Sequence, residues 1–240
     1  MIPAACLNVA RRAYVWSAPF RTAPLTLAQA LVQTPALLLT RMSRKHRRLE
    51  IGPGRERIEG FETLNVVGGI NVDYVWNAAA RLPFRKNTFE IIYASHVLEH
   101  IPWYKTERVL ADWVRTLVPG GRLELWVPDG LKICRAFVEA ETNGTREFHR
   151  DGWWRFNPDR DPCVWASGRI FSYGDGTGRR NHPNWHLALF SFRHLEQLLK
   201  RAGCSRVERL DRSRVRGHDH GWINLGVCGI KGGNTAAGRA

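Results

Sequence analysis

One short run, Ser95-His96-Val97-Leu98-Glu99-His100, sets two imidazoles and a carboxylate directly after the apolar stretch FEIIYA. An imidazole with an ordinary pKa of about 6.5 can take a proton from a hydroxyl at neutral pH, so His96 is a general-base candidate. The letters H-x-x-E-H also spell the inverted zincin signature, but no third ligand motif surrounds them, and that reading is set aside. The plainer roles are a hydrogen-bonded helix start for His100 and a partner of the helix dipole for Glu99. Upstream, Glu50-Ile51-Gly52-Pro53-Gly54 puts an acid in a strand before G-x-G, a turn that lets a ligand approach the backbone closely. The third glycine of the dinucleotide fingerprint is missing, with Arg57 in its place. His182 and His186, four residues apart across Pro183 and Trp185, are the other base candidates. Asp129 in WVPDG is expected to cap a helix starting at Leu131.

These residues need strands to hold them. Apolar, β-branched and aromatic runs predict strands at Leu49 to Gly52, Thr63 to Val67, Tyr74 to Ala78, Glu90 to Ser95, Leu123 to Val127, Val207 to Leu210 and Trp222 to Ile230. Helices are predicted at Trp103 to Leu117, stopped by Pro119-Gly120-Gly121, and at Ser191 to Ala202, ended by Gly203. Runs that end in Gly, Asp or His suit parallel strands whose carboxyl ends border a binding crevice. Only Arg55 to Gly60 separate the first two strands, too few for a helical crossover, so the first helix is expected to be missing or reduced to a turn. Residues 143–185 carry Trp153, Trp154, Phe156, Trp165, Phe171, Tyr173 and Trp185 without helical or strand periodicity, and read as an irregular lid or binding loop. Trp76, Trp113, Trp126 and Trp222 fall in expected core elements.

Taken together, LEIGPG, LPF, FEIIYASHVLEH and LVPGGRLELWVPD resemble class I S-adenosylmethionine-dependent methyltransferases over residues 48–130, and more loosely to about residue 231. Within them the chain looks most like the small-molecule, type 11-like enzymes associated with cell-surface polysaccharide. The resemblance implies an α/β, doubly wound, mostly parallel seven-stranded sheet with a shortened first crossover and an aromatic-rich insertion after the fifth strand. It implies S-adenosylmethionine as cofactor, with Glu50 facing the methionine ammonium and the backbone of Gly52 and Gly54 against the ligand. Asn65 stands where the family has an acid for the ribose hydroxyls. Asn77 stands where an Asp usually accepts from the adenine amino group, with the Ala78 amide beside it. Ser95 and His96 would line the sulfonium. A subset of the superfamily holds a divalent ion with E-x-x-E-H; here His96 replaces the first Glu, Glu99 and His100 match, and His182 or His186 would complete the set. The primary expectation is no metal, with Glu99, His100 and His186 as the set if one binds.

Lys and Arg outnumber Asp and Glu by 36 to 22, a formal charge of +14 that favours phosphates, nucleic acid or an anionic membrane face. Five dispersed cysteines with no C-x-x-C suggest reduced thiols in the cytoplasm. Residues 24–39 are apolar but interrupted by Gln29, Gln33 and Pro35, too short to span a bilayer, and followed rather than preceded by Arg41 to Arg48. No export is expected; the segment either lies on an anionic inner leaflet or packs on the domain. The organisation expected is a basic segment 1–47, a methyltransferase domain 48–231 with its insertion 143–185, and a flexible tail 232–240. The function expected is O-methylation of a small or glycan-like acceptor, with an RNA methyltransferase or a non-catalytic scaffold as alternatives. Nucleic acid ranks below a small acceptor because no appended RNA-binding module is visible.

Overall fold

The apolar runs become seven strands: β1 Arg47–Ile51, β2 Glu62–Asn65, β3 Tyr74–Val75, β4 Phe89–Ser95, β5 Leu117–Pro128, β6 Cys204–Leu210 and β7 Asn224–Lys231. The structure is a computed structural model that describes residues 24–54, 57–151, 154, 157–171 and 185–233. The strands form one sheet in the order β3-β2-β1-β4-β5-β7-β6. Pairing from β3 through to β5 is parallel. β7 is antiparallel to both β5 and β6, so it alone runs in reverse. The α/β, mostly parallel seven-stranded sheet is therefore present as expected.

Helix α1, Thr34–Thr40, continues a π-turn at Gln29–Gln33; α2 is Thr106–Thr116, α3 Gly130–Asn143, α4 Pro162–Ile170 and α5 Phe192–Arg201. The α2 stripe of Val109, Leu110, Trp113 and Val114 packs into the main core against Leu49, Ile92 and Leu125. Ser191 caps α5 by accepting the His194 N–H. Asp129 caps α3, its Oδ1 accepting from Leu131 N at 3.0 Å and Lys132 N at 3.3 Å. The capping role read for it from sequence holds.

No helix lies between β1 and β2 among the described residues. The sheet face so exposed carries Phe61, Ile91, Tyr93 and Trp126, and Leu210 and Val215 pack over it instead. Tyr93 Oη donates to Arg216 O at 2.6 Å and accepts Arg216 N–H at 3.0 Å, which pins the β6–β7 connection in the missing helix's place.

Three expectations need correcting. β3 has two residues, because the Asn77–Ala80 turn begins immediately after it. Trp76, expected in the core, is 38% exposed, since its indole turns outward to donate to Arg81 O. The insertion is not wholly irregular: Pro162 at its first turn and the Asp161 cap start α4, and Trp165 is fully buried in a second core with Phe148, Ile133 and Ile223. Trp165 Nε1 donates to the Asp151 carboxylate at 2.8 Å, which also receives Arg169. Trp153, Phe156 and Tyr173 lie outside the described residues.

Trp113 is fully buried, and its Nε1–H donates to Ala78 O at 3.0 Å, tying α2 to the turn after β3. Trp113→Phe should leave that carbonyl unmet and open a small void. We expect a loss of about 2 kcal/mol in urea unfolding. A loss below about 0.5 kcal/mol would mean that the turn does not depend on this contact.

Candidate functional site

The carboxyl ends of β1, β2 and β4 open onto two cavities that share Gly52. The smaller, about 380 Å³, is lined by Gly52, Asn65, Asn77, Ala78, His96 and His100. The larger, about 710 Å³, lies between Glu50, Gly54, Tyr93 and Ser95 on the sheet and Arg216 to His220 on the β6–β7 connection. Gly52 has φ +73°, and a Cβ there would lie 2.3 Å from Val97 Cγ2, so only glycine lets the chain leave β1 in this direction. A Cβ on Gly54 would meet nothing within 4 Å, which leaves its backbone open to the crevice.

Glu50 ends the inward face of β1 and is buried. Its carboxylate takes one hydrogen bond from the Ile58 N–H, while Oε2 has no partner among the described residues. Burial pushes its pKa up, against the pull of that amide and of Arg57. A buried acid with one unmet oxygen is costly unless a donor arrives, and a ligand ammonium would supply it.

Asn65, at the end of β2, turns its Oδ1 onto the Val66 N–H at 2.8 Å. Asn77 likewise accepts from Ala79 N at 2.9 Å and opens the turn closed by Ala80 N to Asn77 O. Both amides thus build local turns while their NH2 groups remain available as donors.

β4 runs into a 3₁₀ turn at Leu98–His100, and His96 takes a left-handed conformation, φ +52°, to make the corner. Its Nε2 lies 2.8 Å from Asn224 Oδ1, and Asn224 Nδ2 donates to Asp219, which fixes that amide's orientation. Its Nδ1 lies 3.0 Å from Glu99 Oε1. Both ring nitrogens therefore face oxygen atoms, one from Asn224 and one from Glu99. Neither Glu99 oxygen has an aligned hydrogen-bond donor among the described residues. Burial opposes ionisation of Glu99, but the facing His96, His100 and His186 outweigh it and hold its pKa below the usual carboxylate range.

The strand-like segment at 185–190 closes this side. Leu187 N and Ala188 N donate to Glu99 O at 2.7 and 3.2 Å, which brings His186 to Glu99. His186 Nδ1 faces Arg169 O at 2.9 Å and His100 Nδ1 faces Trp185 O at 3.1 Å, so each donates its Nδ1–H to a backbone carbonyl. Burial lowers the His186 pKa. One ligand atom from each of Glu99, His100 and His186 lies within 4.8 Å of the others. His182 lies outside the described residues.

The sequence reading missed His218, Asp219 and His220. His220 stacks on His96 with ring centroids 3.6 Å apart. Burial, with His96 and His218 nearby, pushes its pKa down to about 3. The signal was the compact H-D-H beside Gly217 and Gly221, overlooked within a basic run.

Residues 41–125 match a family model described as a methyltransferase domain, and that stretch holds β1 to β4, α2 and every residue named above from Glu50 to His100. That stretch of the chain is similar to a methyltransferase domain. No curated protein matches the chain. Among solved structures, the carbon methyltransferase of CurJ is similar at 18% identity and TM-score 0.43, covering 80% of this chain. This chain spans about half of that protein's length, 50%. The 1,6-didemethyltoxoflavin-N1-methyltransferase of Burkholderia thailandensis, solved with S-adenosylhomocysteine, is 17% identical over 97% of this chain and 92% of its own, TM-score 0.45. A SAM-dependent methyltransferase of Methanosarcina mazei is 17% identical over 81% and 96%, TM-score 0.46.

Glu50→Gln removes the buried charge but keeps the shape. Because burial raises the Glu50 pKa, ionised Glu50 opposes folding at neutral pH. The variant should therefore melt a few degrees higher there, and the gain should fade as pH falls through the raised pKa toward the ordinary carboxylate range. Thermal melts across that range decide it; a lower melting temperature at neutral pH would make Glu50 a structural partner instead.

Proposed function

We propose that this chain binds S-adenosylmethionine in the crevice around Gly52 and transfers its methyl group to an oxygen of a small, hydroxylated, glycan-like acceptor. The observation that carries the reading is the unmet Oε2 of Glu50, a buried acceptor at the end of β1 beside a turn that excludes any Cβ. The residues fit the cofactor: Glu50 would hold the ammonium, the backbone of Gly52 and Gly54 would lie along the methionine, the Asn65 amide would reach the ribose, and Asn77 with Ala78 would border the adenine. When bound, the cofactor supplies a methyl group already activated on a sulfonium. The protein's main task is then to align the acceptor oxygen, and proximity carries most of the rate.

His96 stands at the corner where the two cavities approach each other. With Asn224 and Glu99 against its two nitrogens, its role in this arrangement is to shape the corner. His186 sits behind Glu99, buried and facing Arg169 O, and shapes the pocket rather than meeting the acceptor. The larger cavity, lined by Arg216, His218, Asp219 and His220, suits an acceptor rich in hydroxyls or carrying an acidic group. Trp165 cannot stack on such an acceptor, because that ring is fully buried in the second core.

A divalent ion is a second reading, favoured by one observation: one ligand atom from each of Glu99, His100 and His186 lies within 4.8 Å of the others. These three residues would hold the ion, which would lower the pKa of an acceptor hydroxyl. If so, Mn²⁺ or Mg²⁺ should raise the melting temperature of the full chain and leave Glu99→Gln unchanged. Equal shifts in both proteins, or none, would remove the ion from the site.

Asn65→Asp tests the cofactor assignment. One carboxylate oxygen would keep the Val66 N–H and the other would take the ribose, so S-adenosylhomocysteine should bind about fivefold tighter by calorimetry. Methyl transfer from labelled S-adenosylmethionine to hydroxylated acceptors should rise at low cofactor. Weaker binding would remove Asn65 from the ribose site; tighter binding with no transfer to saccharide or RNA would favour a scaffold.

A further inference from the structure

The N-terminal helix is inside out. Its polar stripe, Thr26, Gln29, Gln33 and Thr34, faces the protein and is bonded to it. Gln29 Nε2 donates to Gly69 O and Val72 O at 2.9 and 3.2 Å, and its Oε1 accepts Gly69 N–H at 2.9 Å. Gln33 Nε2 donates to Val72 O at 3.0 Å, Gly68 N–H reaches Thr26 Oγ1 and Val75 N–H reaches Thr34 Oγ1, both at 2.9 Å. The opposite side is apolar and open: Leu27, Leu31, Val32 and Leu39 are 60–71% exposed, and Ile70 on the adjoining loop is fully exposed. A helix that belongs only to a globular domain is patterned the other way round.

Cations border the open face. A cavity of about 260 Å³ at its end joins Leu38, Leu39 and Met42 to Arg44, Arg85 and Lys86, with no carboxylate among its lining residues. The nearby acids, Glu62 and Asp73, are already paired with Arg41, Arg47 and Arg57. A second copy of the chain would bring the same cations and a further +14 formal charge against this face. A bilayer surface with anionic headgroups offers hydrocarbon for the leucines and phosphates for the bases.

We propose that the helix at residues 24–40, with Ile70 and the Arg44–Arg85–Lys86 cavity, docks this protein flat onto an anionic membrane surface. No helix among the described residues is long and apolar enough to cross. The same glutamine bonds hold the loop from Gly68 to Asp73, which links the Asn65 and Asn77 sides of the crevice, so docking brings that rim to the leaflet. The proposal stands independently of the reaction.

The test is co-sedimentation of the full chain with vesicles of phosphatidylcholine alone and with added phosphatidylglycerol. Binding should require phosphatidylglycerol and weaken about tenfold in high salt or in Arg44→Glu with Lys86→Glu. Leu31→Glu with Val32→Glu should abolish binding with the melting temperature unchanged. Binding that survives the leucine-face variant would reduce the effect to nonspecific attraction by a basic protein and overturn the proposal. So would absence of vesicle binding, with the sedimentation and melting of that variant then assigning the face to a second copy or to the chain's own residues 1–23.

Discussion

A buried carboxylate, Glu99, is the constraint around which the site is assembled. It enters the interior after β4, where charge is expensive, and is held ionised by imidazoles contributed from both its own turn and the segment at 185–190. Its backbone oxygen takes Leu187 and Ala188, and the histidines beside it reach on to Asn224, Trp185 and Arg169. The end of β4, the exit of the insertion and the start of β7 meet there, although nearly 130 residues separate the first from the last. Remove the charge and the neighbouring imidazoles lose the reason for their arrangement.

The absence of a helix after β1 among the described residues has a comparable reach. A parallel sheet must be covered on both faces, and the chain covers this one with the segment after β6. Tyr93 fastens it, Arg216 pairs with buried Glu124 at 3.0 Å, and the result is the polar wall of the larger cavity. Shortening one crossover thus frees a sheet face and allows a distant loop to become the wall opposite Glu50.

Much of this was legible in the sequence. Glycine and proline punctuate the strands clearly, the short run from Arg55 to Gly60 cannot hold a helix, and Asp129 followed by a glycine and an apolar stripe announces a cap. Site residues on strand ends could be ranked because β1, β2 and β4 bring their carboxyl ends together in any sheet of this topology. The helix at Pro162–Ile170 was hidden by its polar surroundings and its brevity. His218 to His220 escaped because only the fold brings residues after β6 next to β4. The polarity of the N-terminal helix was also misleading: glutamines that seemed to interrupt an apolar run are the residues that dock it. Composition records that pattern without saying which side faces the protein.

If Glu50 holds the cofactor's ammonium, its contribution must vanish for a ligand that lacks one. Calorimetric titration of the wild type and Glu50→Gln with S-adenosylhomocysteine and with 5′-methylthioadenosine, which shares the nucleoside but has no amino acid, separates the two ends of the crevice. The wild type should prefer S-adenosylhomocysteine, and Glu50→Gln should weaken that ligand about tenfold or more while leaving 5′-methylthioadenosine unchanged. Equal weakening of both ligands, or of neither, would contradict the seat assigned to the ammonium and with it the reading of the crevice.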